Sequence, residues 1–421
     1  MAPLRVAGSV RVPGDKSISH RALILGALGD GPSRVTGILR SADVRSTAGV
    51  LRALGAGVPE LGDDFVVQGV GPRGLRAPAR ELDCGNSGTT TRLMAGVVAG
   101  ARLDATFVGD ASLSRRPMRR VARPLEAMGA RVELPPHGGL PMTVRGAPLH
   151  ELEWKSDVAS AQVKSALLLA GLVAGVRVAV EEPEKSRDHT ERMLGARGVG
   201  VHARGTRVEL VPGGAPRALD TVVPGDPSSA AFFAALAALA GGGELTIEHV
   251  CVNDTRIGFL RVLRRAGARV DFWQRDVEGG EWVSPVVVAP AALRGVTVGA
   301  EEVPSMIDEL PMLACLAVYA EGETRITGAK ELRVKESDRI AAVVDNLRRL
   351  GAAAEELPDG MVVAGGGARL RGRVVTHGDH RLAMAFGVLG ALPGNEIEVD
   401  DPACVDVSYP GFWDDLRRVV A

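Results

Sequence analysis

Val12-Pro13-Gly14-Asp15-Lys16-Ser17 returns later in the chain as Val223-Pro224-Gly225-Asp226-Pro227-Ser228. Pro-Gly-Asp alone is an ordinary turn: proline presets φ, glycine frees it and aspartate bonds to nearby backbone. The flanks also match, valine before and serine after, which makes the two turns equivalent connections in a doubled chain. One half would run over 14–224. The other would combine 1–13 with 225–421, with crossovers near 12–15 and 223–226.

A shorter motif divides each half again. A Gly-Ala step recurs at Leu54-Gly55-Ala56-Gly57-Val58, Met128-Gly129-Ala130-Arg131-Val132, Leu194-Gly195-Ala196, Ala266-Gly267-Ala268-Arg269-Val270 and Leu350-Gly351-Ala352. Each follows an amphipathic pattern such as Val343-Val344-Asp345-Asn346-Leu347-Arg348-Arg349. Glycine just past a helix, then a β-branched residue, predicts helix, left-handed cap and strand. Phe412–Val419 reads as a sixth copy stopped before its strand. The spacing is too long for a solenoid and suits a supersecondary unit, so six units make two sets of three. Strand-like segments such as Arg207–Val211 and Val286–Val288 alternate with the helices, so the class is mixed α/β.

The chain has 421 residues, 46% hydrophobic and 24% charged, with a net charge of −1. That length exceeds one ordinary core and predicts two domains. The near-neutral balance argues against nucleic-acid or membrane partners, and no run of eighteen apolar residues occurs. Met1-Ala2-Pro3-Leu4-Arg5 reads as the start of a strand, with no leader pattern. Cys84, Cys251, Cys315 and Cys404 lack paired spacing, so neither a disulfide scaffold nor a zinc site is expected, and the expected setting is cytoplasmic. Only six of the fifty basic residues are lysine: Lys16, Lys155, Lys164, Lys185, Lys330 and Lys335. Against such a preference for arginine, a lysine inside a polar motif suggests a need for a compact charge.

Two stretches set cations among glycines and hydroxyls: Pro13-Gly14-Asp15-Lys16-Ser17-Ile18-Ser19-His20-Arg21 and Gly85-Asn86-Ser87-Gly88-Thr89-Thr90-Thr91-Arg92. Each runs into an apolar segment. Glycine admits close approach of backbone N–H groups, and a helix starting there points its positive end at an anion. Two such cradles predict ligands with more than one negative group.

Further polar clusters follow. Ser156–Ser165 reads alone as a capped helix start. In Val303–Pro311, Asp308 and Glu309 stand among apolar residues, where an acid serves as dipole partner or acquires the raised pKa of a base. In Glu331–Arg339, Lys335 and Arg339 are four apart and would share a helix face beside Glu336, as a solvated charged face also would. His377-Gly378-Asp379-His380-Arg381 again puts a cation at a helix start; a metal reading of its histidines finds no third ligand. Arg115-Arg116-Pro117 adds cations near a turn. Together these cations, drawn from both halves, suit a cleft between two lobes closing over phosphate and carboxylate groups. No P-loop and no G-x-G-x-x-G fingerprint occurs, so neither ATP nor a nicotinamide cofactor is indicated.

Taken in order, these motifs resemble the 5-enolpyruvylshikimate-3-phosphate synthase family of enolpyruvyl transferases. The resemblance runs over nearly the whole chain and is most specific at Pro13–Arg21 and Gly85–Arg92, then at Arg333–Ile340 and Asp379–Met384. It implies a two-lobed inside-out α/β barrel, each lobe built from three β-α-β-α-β-β repeats. The implied reaction moves the enolpyruvyl group of phosphoenolpyruvate to the 5-hydroxyl of shikimate 3-phosphate and releases phosphate, in the shikimate pathway to aromatic amino acids. Asp308 would be the base, Glu336 the acid and Lys16 a helper. Lys16, Ser17, Arg21, Ser160, Gln162, Ser186, Asp308 and Lys335 would contact shikimate 3-phosphate. Lys16, Asn86, Gly88, Arg116, Gln162, Arg339 and Arg381 would contact phosphoenolpyruvate. Neither a cofactor nor a metal is implied, and a monomer is expected. Because Gly88 is unsubstituted, glyphosate would compete with phosphoenolpyruvate.

Three positions depart from the family pattern. Ala161 stands where some members have serine, Glu331 where some have asparagine, and Val405–Pro410 lacks a lysine that some members place there. The sister transferases acting on UDP-N-acetylglucosamine usually carry a reactive cysteine after the second motif; Gly109–Met118 has none. A fold that had lost turnover would not need Asp308, Lys335 and Glu336, and an RNA-end-processing relative would need a nucleotide motif.

Overall fold

The computed structural model describes residues 4–272, 276–367 and 369–420. The expected strand at Met1 begins outside them; within them, Arg5–Val6 is a strand. The chain forms two compact units. One comprises Gly14–Val223 with Val277–Glu281, and the other Met1–Pro13, Pro224–Asp276 and Trp282–Ala421. The chain passes from one to the other at both Val-Pro-Gly-Asp turns. Val277–Glu281, expected with the second half, goes with the first. Glu281 Oε1 lies 2.7 Å from His189 Nδ1, with both side chains fully buried.

Each Pro-Gly-Asp turn serves as a helix start. Asp15 accepts a hydrogen bond from Ile18 N (2.8 Å) and caps the helix Lys16–Ala27. Asp226 accepts from Ser228 N (2.8 Å) and caps Pro227–Leu239. These bonds satisfy donors that a helix end leaves open.

The repeats ending in Gly55, Gly129, Gly267 and Gly351 have those glycines in the left-handed region. In each, the residue after the glycine donates back five positions: Ala56 to Leu51, Ala130 to Leu125, Ala268 to Leu263 and Ala352 to Leu347. This is the Schellman closure. The third copy differs from the expectation. Gly195 lies inside the helix His189–Ala196, and the left-handed cap falls on Gly198, where Val199 N bonds to Leu194 O. Gly195 needs no positive φ there, because the helix continues until a second glycine is reached. The sixth copy, Phe412–Val419, runs into Val420, which makes one antiparallel bridge to Val6.

The sheets repeat one plan. In the first unit, Leu82–Asp83 pairs parallel with Ala105–Val108, which pairs antiparallel with Met142–Arg145; Arg131–Glu133 lies outside. Leu152–Lys155, Val178–Glu181, Arg207–Leu210 and Val201–Arg204 follow the same order. In the second unit, Thr297–Val298, Glu323–Ile326, Gly360–Ala364 and Ala354–Leu357 do so again. A parallel pair needs a crossover helix, and the last two strands form a hairpin-like pair, giving β-α-β-α-β-β. The sheet of Ser9–Val10 and Leu245–Cys251 also has this start, although its first two strands flank the first unit in sequence.

Helices that are apolar on every side lie in the core. Gly88–Gly100 and Ala161–Ala174 are nearly all buried and pack against each other. A Cβ at Gly96 would lie 2.0 Å from Ala166 O, so only glycine admits this approach. The close packing brings the polar starts of the two helices together. No helix among the described residues is long and apolar enough to cross a membrane.

Candidate active site

In the first unit, the opening motif and the second motif are stitched together by hydroxyls. His20 Nδ1 lies 2.7 Å from Thr47 Oγ1, Thr47 lies 2.7 Å from Thr90 Oγ1, and Thr90 donates to Ser87 Oγ at 2.7 Å. Ser87 in turn caps the helix Gly88–Gly100. Burial pushes the His20 imidazole down to about 3, with Asp43 opposing, so the ring is neutral at ordinary pH.

Lys16 and Ser17 stand half-buried at the start of their helix, and Lys16 Nζ pairs with Asp43 at 3.1 Å. Arg21, one turn on, is buried. Its Nε donates to Thr190 Oγ1 (2.7 Å), Nη2 to Ser165 Oγ (2.7 Å) and Nη1 to Ser17 O (2.9 Å). Burial lowers its guanidinium to about 10, with Glu191 the leading opposing charge, so it remains cationic near neutrality.

Asn86 and Arg116 form a relay. Asp110 caps the short helix Ala111–Ser114 through Leu113 N (2.7 Å) and accepts Asn86 Nδ2 at 2.5 Å. This fixes the amide so that Asn86 Oδ1 accepts Arg116 Nη2 at 2.5 Å. Arg92 Nη1 donates to Gln162 Oε1 (2.6 Å), and Gln162 Nε2 donates to Thr89 (2.9 Å). Gly88 lies against these cations: a Cβ there would be 2.7 Å from Arg92 Nη1 and 3.7 Å from Arg116 Nη1.

Ser160 and Ser186 meet at one carboxylate that sequence reasoning missed. Glu182 accepts Ser160 N (2.9 Å) and the Ser186 hydroxyl (2.7 Å). Lys164 Nζ lies 2.8 Å from both Glu182 and Glu191. Lys164 had one signal, its place among six lysines in an arginine-rich chain.

The second unit gathers the other group of candidates. Asp308 sits on the 3-10 turn Ile307–Glu309, immediately before the helix Leu310–Ala317. Its Oδ1 lies 3.3 Å from Lys335 Nζ and 3.2 Å from Arg339 Nη1; Arg381 Nη1 donates to its backbone carbonyl at 3.3 Å. Arg339 Nη2 also lies 2.7 Å from Glu336. Lys335 and Arg339 do not share a helix face as the spacing predicts. Asp338 caps a helix that begins at Arg339, and Lys335 ends the separate 3-10 turn Lys330–Val334. Asp308 draws the two cations together instead.

Asp379, which the sequence presents only as part of a turn, organises this group. It accepts Arg339 Nε (2.8 Å) and Nη2 (3.1 Å), Ser337 Oγ (3.0 Å) and Arg381 N (3.0 Å). Burial works against the charges of both Asp379 and Arg339. Their attraction outweighs it, holding Asp379 below the usual carboxylate range and Arg339 above the usual guanidinium range. Among the described residues no group of three His, Cys, Asp or Glu side chains could hold a metal ion.

All the expected residues therefore fall into two sets. Lys16, Ser17, Arg21, Asn86, Gly88, Arg116, Ser160, Gln162 and Ser186 lie in the first unit, and Asp308, Lys335, Glu336, Arg339 and Arg381 in the second. One set is built of hydroxyls, amides and cations suited to phosphate and carboxylate. The other presents two carboxylates flanked by three cations, suited to proton transfer beside anionic groups.

Such a fold and site define an enolpyruvyl-transferase type of protein, and comparison narrows this. An EPSP synthase from Acinetobacter baumannii superposes with a TM-score of 0.89 at 38% identity, covering 100% of this chain and 97% of that one. The enolpyruvyl transferase NikO from Streptomyces tendae shares the fold, with a TM-score of 0.78 at 19% identity. The family model for EPSP synthase (3-phosphoshikimate 1-carboxyvinyltransferase) matches residues 1–416. Curated relatives of that name include one from Alkalilimnicola ehrlichii, 51% identical over 96% of this chain and 91% of its own. Another, from Thermus thermophilus, is 50% identical over 100% of this chain and 97% of its own. The chain belongs to the EPSP synthase family.

Proposed function

We propose that the protein is a transferase that moves the enolpyruvyl group of phosphoenolpyruvate to the 5-hydroxyl of shikimate 3-phosphate, releasing phosphate. The reading rests on one observation above others. Asp308 and Glu336 share a guanidinium, Arg339, with Lys335 and Arg381 also beside Asp308. Two carboxylates held by cations meet the need for an acid and a base next to an anionic substrate.

The carbon–oxygen bond forms by addition. Glu336 gives a proton to C3 of phosphoenolpyruvate, which makes C2 electrophilic. Asp308 takes the proton of the 5-hydroxyl as its oxygen bonds to C2. In the elimination that follows, the bond from C2 to the phosphate oxygen breaks, a proton leaves C3, and the roles of the two carboxylates reverse. Lys16 stands ready at the first-unit set to neutralise charge on the reacting groups. Acid–base help of this kind contributes about 10²–10⁴-fold, and positioning supplies much of the rest.

Ser17, Arg21, Ser160, Gln162, Ser186 and Lys335 hold shikimate 3-phosphate, while Asn86, Gly88, Arg116, Gln162, Arg339 and Arg381 hold phosphoenolpyruvate. In this reading the chain works as a monomer. Cys84, Cys251 and Cys315 stand as buried thiols, which supports a reducing, cytoplasmic setting. Phosphate release from the two substrates, with each omitted in turn, tests the reaction. Release that persists without shikimate 3-phosphate, or that requires UDP-N-acetylglucosamine instead, overturns it.

A further inference from the structure

The helices Ala161–Ala174 and His189–Ala196 are joined by two adjacent rungs. Ser165 Oγ and Thr190 Oγ1 lie 2.7 Å apart, and this hydroxyl rung receives two prongs of Arg21. One residue along, Lys164 meets Glu191 at 2.8 Å in an ionic rung. Lys164 then continues to Glu182, also at 2.8 Å. Glu182 carries the chain of contacts out to Ser160 and Ser186.

Three features separate this cluster from ordinary core packing. Lys164 is 1% exposed, and its partners Glu182 and Glu191 are 2% and 6% exposed, so two carboxylates and one ammonium are held out of water. Replacing such a group by apolar residues is often harmless or stabilising, so its presence is poor evidence of a stabilising device. Second, the second carboxylate is answered by Arg21, for which Glu191 is the leading opposing charge. Third, both hydrogen-bonding oxygens of Glu182 face groups expected to meet the substrate. A bare carboxylate beside a phosphate-binding serine would repel a dianion. Burial works against the charge of Lys164, yet Glu191 and Glu182 keep it cationic, so the lysine cancels that repulsion.

We propose that Lys164 and Glu182 are positioning residues for the proposed shikimate 3-phosphate site: Glu182 aims Ser160 and Ser186, and Lys164 neutralises Glu182 so that a phosphate dianion can approach them. The proposal rests on the transferase reading and adds to it a selective claim. Disturbing this pair should affect one substrate and spare the other, because Asn86, Arg116 and Gln162 are bonded through Asp110, Arg92 and Thr89 instead.

The test uses the full-length chain and the variants Glu182→Gln, Lys164→Met and Ser186→Ala, with KM measured for each substrate. Glu182→Gln and Lys164→Met should each raise KM for shikimate 3-phosphate about tenfold, the scale of one disrupted charge-assisted hydrogen bond, and leave KM for phosphoenolpyruvate within about twofold. Glu182→Gln combined with Ser186→Ala should be little worse than the worse single variant, since the Ser186 hydroxyl is one of the two groups that Glu182 aims. Equal rises in both KM values, or strictly additive effects in the pair, overturn the proposal. Should the larger changes prevent folding, Glu182→Asp keeps the charge, withdraws the oxygens and is expected to show the same selective rise. Calorimetric titration of the wild-type and variant chains with shikimate 3-phosphate separates the two readings. Weakened binding in the variants with no turnover in the wild type would sink the transferase reading alone. Normal turnover in the wild type with unweakened binding in the variants would sink the positioning role alone.

Discussion

Arg339 and Asp379 form a buried two-pronged pair, Nε to Oδ2 at 2.8 Å and Nη2 to Oδ1 at 3.1 Å. The same guanidinium reaches Asp308 and Glu336, so one rigid, planar cation orients both proposed proton carriers. Asp379→Asn leaves that cation without its principal counter-charge. The expected cost is about 3 kcal/mol of stability, read from urea unfolding, together with a fall in kcat. A variant as stable as the parent would contradict the central place given to this pair.

Asp308→Ala removes the proposed base but none of the first-unit contacts. Turnover should fall by about 10²–10⁴-fold while calorimetry still shows shikimate 3-phosphate binding. Unchanged phosphate release would remove the acid–base assignment.

Gly88→Ala places a methyl group 2.7 Å from Arg92 Nη1, so the end of that side chain must shift and its bond to Gln162 is disturbed. Since Gln162 and Arg116 serve the proposed phosphoenolpyruvate contacts, KM for that substrate should rise about tenfold, the scale of one lost charged hydrogen bond. Steady-state kinetics with shikimate 3-phosphate saturating will show it; an unchanged KM would mean that Gly88 lies away from this ligand.

His20 yields a pH dependence of definite sign. Its imidazole is held down to about 3 when folded, against 6.5 ordinarily, so between those values the unfolded chain binds the extra proton. Its contribution to stability is complete above pH 6.5 and is lost as pH falls toward 3. Between about pH 7 and pH 5 the loss is about 2 kcal/mol, and His20→Asn should lose correspondingly less over the same interval. Urea midpoints at the two pH values provide the comparison, and identical pH slopes would refute it.

Thiol reagents should leave activity intact at neutral pH. Cys84, Cys251 and Cys315 are buried, and burial pushes the thiols of Cys84 and of the half-buried Cys404 up to about 12. A thiolate is the reactive form, so none is available for alkylation. Rapid inactivation by iodoacetamide would disagree.

Periodicity and turn chemistry are local, and they were legible. The Pro-Gly-Asp turns, four of the five glycine caps and the two sets of three units need only backbone rules acting over a few residues. Gly195 misled because two glycines, at 195 and 198, stand near one helix end, and local sequence does not say where the last turn stops. The same limit applies to Lys335 and Arg339, whose spacing suggests a shared helix until Asp338 claims the cap.

By itself, then, the amino-acid order determined which segments become helix starts rich in cations and hydroxyls, and motif resemblance pointed to the residues that line them. Tertiary structure alone decided the counter-charges. Asp379 lies forty positions from Arg339, and Glu182 and Glu191 converge on Lys164 from other elements. The physical reason is that a buried charge requires an opposite one within a few ångströms, whereas no sequence rule states which distant acid the fold will bring there.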